Sequence, residues 1–205
     1  MRQCYQNIRQ IYLNYKLRNA CVFGNKDKIK GLLDKGADIN AADKNGITPL
    51  FIACLNNHLD LAKFLVSKGA DIHAIECEYR QNLLHAACFA NRIEVAKWLV
   101  EDQNMDINAA NNLGDAPLHL ACHYGYVELA YILIKLGADK ELQNNVNKKP
   151  EDYLEQERKT ELANLMEVKT VDQASSSTDW QVHIIRANRS RLQAEDRGVV
   201  VGGTP

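Results

Sequence analysis

Cys21, Cys54, Cys88 and Cys122 recur about 33 residues apart, and His85 and His119 each stand three residues before a cysteine. Thiolates and imidazoles are zinc ligands, so a metal centre is the first chemistry to weigh. Zinc needs its ligands within about 2.0–2.3 Å of one ion. These cysteines instead hold one equivalent position in successive units, a helix layer or roughly 8–10 Å apart. The chain has no paired Cys-x-x-Cys. The same separation exceeds the limit of about 7 Å between Cα atoms that a disulfide spans. The expectation is therefore four reduced, metal-free core thiols of a cytosol-like compartment. His85 and His119 are expected to hydrogen-bond loop backbone of their own or the next unit. Phe51 takes the corresponding place in another unit, which a ligand or catalytic role would not tolerate.

Other reactive side chains lack their machinery. Cys77 falls on a projecting loop and is read as an exposed thiol, with no neighbour to lower its pKa and activate it. Gly198-Val199-Val200-Val201-Gly202-Gly203 lacks the Lys-Ser/Thr and the following helix of a phosphate-binding loop. No serine sits in a nucleophile elbow. Asp27, Asp60, Glu94 and Glu128 recur in phase and belong to the scaffold. No catalytic residue, cofactor site or metal site is expected.

The elements that position these residues are repeats. Gly36-Ala37-Asp38-Ile39-Asn40, Gly69-Ala70-Asp71-Ile72-His73, Met105-Asp106-Ile107-Asn108 and Gly137-Ala138-Asp139 mark one register. Between them recur Thr48-Pro49-Leu50, Leu83-Leu84-His85 and Ala116-Pro117-Leu118-His119, each opening a run of small apolar residues. Such periodicity means one small unit stacked on copies of itself, burying a core between neighbours and leaving a long open surface. Each unit reads as helix, turn, helix, loop. Pro49 suits a first helical turn. Gly24, Asn57, Asn91 and Gly125 are the residues that close a helix in the left-handed conformation. Second helices carry Leu61, Phe64, Leu65 and Val66, then Val95, Trp98, Leu99 and Val100, then Leu129, Ile132, Leu133 and Ile134.

A net charge of −1 with interspersed signs argues against a nucleic-acid surface. No apolar run approaches a membrane span, and residues 1–5 show no signal-peptide stretch. The expectation is a cytoplasmic, monomeric chain without membrane insertion.

Thr48-Pro49-Leu50, Ala116-Pro117-Leu118-His119-Leu120-Ala121 and the Gly-Ala-Asp-Ile-Asn/His runs make the chain resemble the ankyrin repeat family over roughly residues 15–169. The resemblance implies an all-α solenoid of about five helix-turn-helix units with short finger loops, at 15–42, 43–75, 76–110, 111–143 and 144–169. Residues 1–14 are read as an N-terminal capping helix, with Ile8, Ile11, Tyr12 and Tyr15 covering the first core face. The outer units are degenerate, as caps require. In the third unit the finger Glu76–Asn82 is one residue longer and lacks a counterpart of Gly46, and Glu101–Met105 replaces the helix-ending glycine. Residues 170–205 are read as a serine-rich linker and flexible tail holding Trp180, Val182, Ile184 and Ile185. Asn40 and Asn108, which end Asp-Ile-Asn fingers, are expected to bridge fingers. The resemblance implies that such asparagines can also be hydroxylated, Asn40 having the favoured context with Leu32 and Asp38 before it.

The family also implies protein recognition on a concave surface built from fingertips and first-helix ends. In this register the partner-binding residues are Phe23, Leu55, Asn56, Phe89, His123 and Tyr124, with Asn45, Ile75, Glu78 and Leu113 on the fingers. Phe23, Leu55, Phe89 and Tyr124 are expected to form one exposed stripe. A second reading is an adaptor, or a host-directed effector arm, that recruits or regulates a separate enzyme with the tail as a further docking element.

Overall fold

A computed structural model describes residues 2–171, with side chains described from 6 to 167. Residues 1–163 form one compact unit, and a second begins at 164. Of the expected linker and tail, residues 172–205, with Trp180, Val182, Ile184 and Ile185 and the glycine-rich 198–203, lie outside the described residues.

The described residues are helices and turns without a strand. The order is α1 (Arg2–Val22), α2 (Lys26–Asp34), α3 (Pro49–Leu55), α4 (Leu59–Ser67), α5 (Leu83–Phe89) and α6 (Ile93–Glu101). There follow α7 (Pro117–His123), α8 (Val127–Lys135), a 3-10 turn (Pro150–Tyr153) and α9 (Gln156–Val171). The all-α repeat stack is therefore as the sequence implied. The first helices α1, α3, α5 and α7 pack in succession, the 3-10 turn follows α7, and α2, α4, α6 and α8 each pack on their own partner.

Local chemistry explains where the first helices α3, α5 and α7 start. Thr48 caps α3 by accepting the Phe51 N–H at 3.2 Å, and Asn82 caps α5 by accepting that of His85 at 3.0 Å. Ala116 has no polar side chain to offer α7. There His119 Nδ1 accepts the Ala116 N–H instead, at 3.1 Å. Asp27, Asp60, Glu94 and Glu128 all lie in first turns of second helices, where a carboxylate meets the positive end of the helix dipole. That placement accounts for their periodicity.

Asn57 and Asn91 take φ of 63° and 55°, beside Gly24 and Gly125 at 63° and 67°. In the third unit, where the glycine after the second helix is missing, Asn104 supplies the left-handed residue at φ 52°.

The core combines small and large residues, with Leu17, Leu50, Leu84 and Leu118 fully buried on the first helices. Ala53, Cys54, Ala87, Cys88 and Ala121 are wholly buried on the first helices, letting their backbones approach closely. Leu65, Leu99 and Leu133 are buried in phase on the second helices. Ala62, Ala96 and Ala130 are equally buried beside them, an in-phase series that a search for large apolar residues passes over.

Successive units are tied through backbone carbonyls. His58 Nε2 lies 3.0 Å from Val22 O, Arg92 Nε donates to Leu55 O at 2.9 Å, and Arg158 Nη1 donates to Gly125 O at 2.5 Å. Asn40 and Asn108 do bridge neighbouring units, accepting the N–H of Asp71 at 2.8 Å and of Asp139 at 2.9 Å.

The N-terminal segment departs from its reading. Helix α1 runs unbroken from Arg2 to Val22, so the extension and the first helix of unit one are a single element. Ile8, Ile11, Tyr12 and Tyr15 do not cover the core. They face outward, and Leu13, Leu17, Ala20 and Cys21 are the buried side. The cap is polar instead. Asn14 Oδ1 accepts the Asp38 N–H at 2.9 Å, as Asn40 and Asn108 do for later units. Gln10 donates to Gly36 O at 2.9 Å, and Arg18 to Ala41 O at 3.0 Å. Free carbonyls and N–H groups around the end of α2 decide the rotation of α1, because an unpaired backbone group costs more than an exposed apolar side chain.

Candidate partner-binding surface

Each finger is shaped by one acceptor at its base. Asp43 Oδ1 accepts the N–H groups of Asn45 (2.8 Å) and Ile47 (3.0 Å). Asn111 Oδ1 accepts those of Leu113 (2.8 Å) and Asp115 (3.0 Å), and Asn144 Oδ1 those of Val146 and Lys148 (both 3.1 Å). The longer third finger has Glu76 at this place. Its additional methylene reaches the N–H groups of Glu78 and Tyr79, the latter at 3.0 Å from Oε2. The longer loop and the longer side chain go together.

Backbone bonds between fingers fix their register. Cys77 N donates to Asn45 O at 2.9 Å, Asn112 N to Tyr79 O at 2.9 Å, and Asn145 N to Leu113 O at 3.0 Å. Tyr79 is therefore the third-finger equivalent of Asn45 and Leu113. Glu78, the residue assigned from sequence, lies one position earlier, where its carbonyl accepts from Asn112 Nδ2 at 2.8 Å. A count of residues per finger shows the insertion but not on which side of the tip it falls. Arg80 takes φ 55° where Gly46 and Gly114 stand in the neighbouring fingers.

The first-helix ends bring an aromatic cluster beside these fingers. Phe89 and Tyr124 meet edge to face, centroids 5.2 Å apart at 86°. Tyr124 also stacks on Tyr126 at 5.8 Å and touches His123 at 5.0 Å. His123 in turn meets Tyr153 at 5.2 Å, over whose ring Lys148 Nζ lies at 5.1 Å. Phe89 and Tyr124 remain 46% and 42% exposed, so the pair is a surface and not part of the core. The Glu78 carboxylate raises the Tyr79 pKa, by charge and by a hydrogen bond, and Tyr124 contributes to the same shift. Tyr79 is itself 42% exposed on its finger.

Of the residues singled out from sequence, Phe89, His123 and Tyr124 come together, while Leu113, Ile75 and Asn45 are exposed on the fingers. Phe23 stands 80% exposed at the end of α1, without a ring contact among the described residues. Leu55 and Asn56 are half-buried, and Asn56 Nδ2 folds back onto Ile52 O at 2.9 Å. The expected stripe is therefore interrupted at unit two. Tyr79, Tyr126 and Tyr153 were not singled out from sequence. Tyr79 and Tyr126 lie within two residues of chosen positions, whereas Tyr153 is brought to His123 only by the fold.

The in-phase histidines serve loop backbone. His119, with Nδ1 accepting from Ala116, donates through Nε2 to Lys148 O at 3.1 Å. His85 places Nε2 3.0 Å from Asp115 O and Nδ1 2.7 Å from Asn82 Oδ1. Burial pushes the His85 pKa down, against the Asp115 carbonyl, which favours the proton. Burial also pushes the thiols of Cys21, Cys54 and Cys122 up to about 12 and raises that of Cys88. Cys77 is an exposed free thiol. Among the described residues no group of three His, Cys, Asp or Glu side chains is arranged to hold a metal ion. No described helix is long and apolar enough to cross a membrane.

Comparison with known proteins agrees with this architecture. One family model, ankyrin repeats in many copies, matches residues 17–66, and another, ankyrin repeats in three copies, matches residues 74–144. The chain is 37% identical over 89 residues to human protein phosphatase 1 regulatory subunit 27, covering 43% of this chain and 56% of that protein. It is 30% identical over 142 residues to human neurogenic locus notch homolog protein 1, covering 65% of this chain and 5% of that protein. It is 38% identical over 135 residues to an ankyrin repeat protein of Fowlpox virus, covering 65% of this chain and 30% of that protein. The chain thus spans about half the length of the phosphatase regulatory relatives, 56% of the human and 46% of the mouse protein.

Proposed function

The chain belongs to the ankyrin repeat family, whose repeats are protein-interaction modules, and from that premise we propose a non-catalytic module that binds a partner protein with its fingers and first-helix ends. The observation that carries this reading is the half-exposed Phe89–Tyr124 pair, with His123 and Tyr126 against Tyr124. Aromatic residues at the centre of an interface supply most of its energy, and polar surroundings exclude water. Leu113, Ile75, Asn45, Glu78 and Tyr79 form the finger side of this surface. Phe23, Leu55 and Asn56 continue it toward α1 with less apolar area.

The test is Phe89→Ala with Tyr124→Ala. Proteins captured by the wild-type chain should bind the double variant at least tenfold more weakly, about 1.4 kcal/mol. Its helical circular dichroism should persist. Lys63→Ala, on the exposed face of α4, should leave binding unchanged. Undiminished binding by the folded double variant would move the site elsewhere.

The phosphatase regulatory relative favours a specific form of the adaptor reading, in which the partner is protein phosphatase 1. Direct titration of that phosphatase against the chain tests it, and absence of saturable binding excludes it.

A further inference from the structure

Helix α1 carries a second surface that the recognition face does not use. Its inner side is occupied: Leu13 and Leu17 enter the core, while Gln10, Asn14 and Arg18 bind backbone groups beyond α2. Outward, Ile8, Ile11, Tyr12 and Tyr15 are 65%, 69%, 56% and 54% exposed. Spaced i, i+3, i+4 and i+7, they form one stripe along the helix axis, about 10 Å long at 1.5 Å per residue. Single exposed apolar side chains are ordinary. A contiguous stripe marks a contact surface.

Charge decides what can cover it. Residues 2–22 include four cations, Arg2, Arg9, Lys16 and Arg18, and no Asp or Glu. Lys16 Nζ lies 5.2 Å over the Tyr12 ring, at the margin of the stripe. Two copies meeting α1 to α1 would set cations against cations with no carboxylate on either helix, so symmetric self-pairing is opposed. An anionic lipid surface is held by clusters of about four to eight cations. Here the four cations are spread from Arg2 to Arg18 and do not form such a cluster. The three- and four-residue alternation of Ile8, Ile11 and Tyr15 is instead the seam that a second helix packs along.

We propose that the outer face of α1 is a docking site for an acidic amphipathic helix of a partner protein. Aliphatic side chains of that helix pack between Ile8, Ile11 and Tyr15, and a flanking carboxylate pairs with Lys16. The site is separate from the Phe89–Tyr124 surface, so each can fail alone.

The probe is a labelled helical peptide with leucines along its seam and glutamates on both flanks, titrated into the full chain. A second peptide has lysines in place of the glutamates. The glutamate peptide should bind saturably and the lysine peptide far more weakly, with the difference shrinking as salt is added. Ile11→Ser with Tyr15→Ser should weaken binding about tenfold or more. The thermal midpoint should hold, because both side chains are exposed. Lys16→Glu should lower affinity for the glutamate peptide and raise it for the lysine peptide. Phe89→Ala with Tyr124→Ala should leave both affinities unchanged. Equal binding of the two peptides, or none, overturns the proposal. So does sedimentation with phosphatidylcholine–phosphatidylserine vesicles that the Ile11/Tyr15 substitutions abolish, which would assign the stripe to a membrane. Self-association abolished by the same substitutions would assign it to a second copy.

Discussion

His85 shows how burial changes what an in-phase residue does. The thiols beside the first-helix histidines are held protonated by burial, and His85 itself is pushed toward its neutral form. Its folded pKa lies below the unfolded value of about 6.5, so the unfolded chain takes up the proton more readily. The resulting contribution to stability is fully present above about pH 6.5 and is lost as pH falls below it toward the folded pKa. The urea midpoint of the wild-type chain should therefore decline as pH falls below about 6.5. His85→Gln should be less stable at neutral pH and show a shallower decline. An equal slope in the two proteins would mean that His85 stays neutral or charged alike in both states, and that carboxylates set the acid limit.

The third finger is the element where sequence and structure part most usefully. Helix positions, helix-closing Asn57 and Asn91, and the buried Leu65–Leu99–Leu133 series all follow from periodicity, because each is set within one unit. The site is less legible. Tyr79 reaches the fingertip through hydrogen bonds to Glu76 and Asn112, which belong to different units. The outward turn of α1 likewise depends on carbonyls of Gly36 and Ala41, which no property of residues 8–15 reveals. The finger also bears a cost. Arg80 sits at φ 55°, a conformation about 1–2 kcal/mol unfavourable for a residue with a Cβ. Arg80→Gly should recover part of this, about 1 kcal/mol after the larger chain entropy of glycine is subtracted. Chemical denaturation measures it. A destabilised Arg80→Gly variant would show that the arginine side chain makes contacts worth more than the strain.

At the scale of the whole molecule, a net charge of −1 conceals a gradient. Residues 1–35 carry eight basic and two acidic side chains, and residues 101–171 carry seven basic and thirteen acidic ones. Acidic and basic partners are therefore steered to different ends of the sequence, more strongly at low salt. The stability of the array has a comparable polarity, because each unit is held only by itself and its neighbours. Leu133 is fully buried on α8, whose packing partners are α7 and α6, and α7 in turn supports the 3-10 turn at Pro150–Tyr153. Leu133→Ala should cost about 2–5 kcal/mol, as large-to-small core substitutions do. Its effect should also be local. Hydrogen exchange should accelerate most in α7, α8 and the 3-10 turn, while the amides of α1–α4 keep most of their protection. Leu65→Ala, the in-phase substitution on α4, removes the same side chain nearer the N-terminal end and should reverse that pattern. Uniform acceleration in both variants would mean that the units unfold as one cooperative block, with interfaces far stronger than the units they join. An unchanged midpoint in either variant would contradict the burial of its leucine.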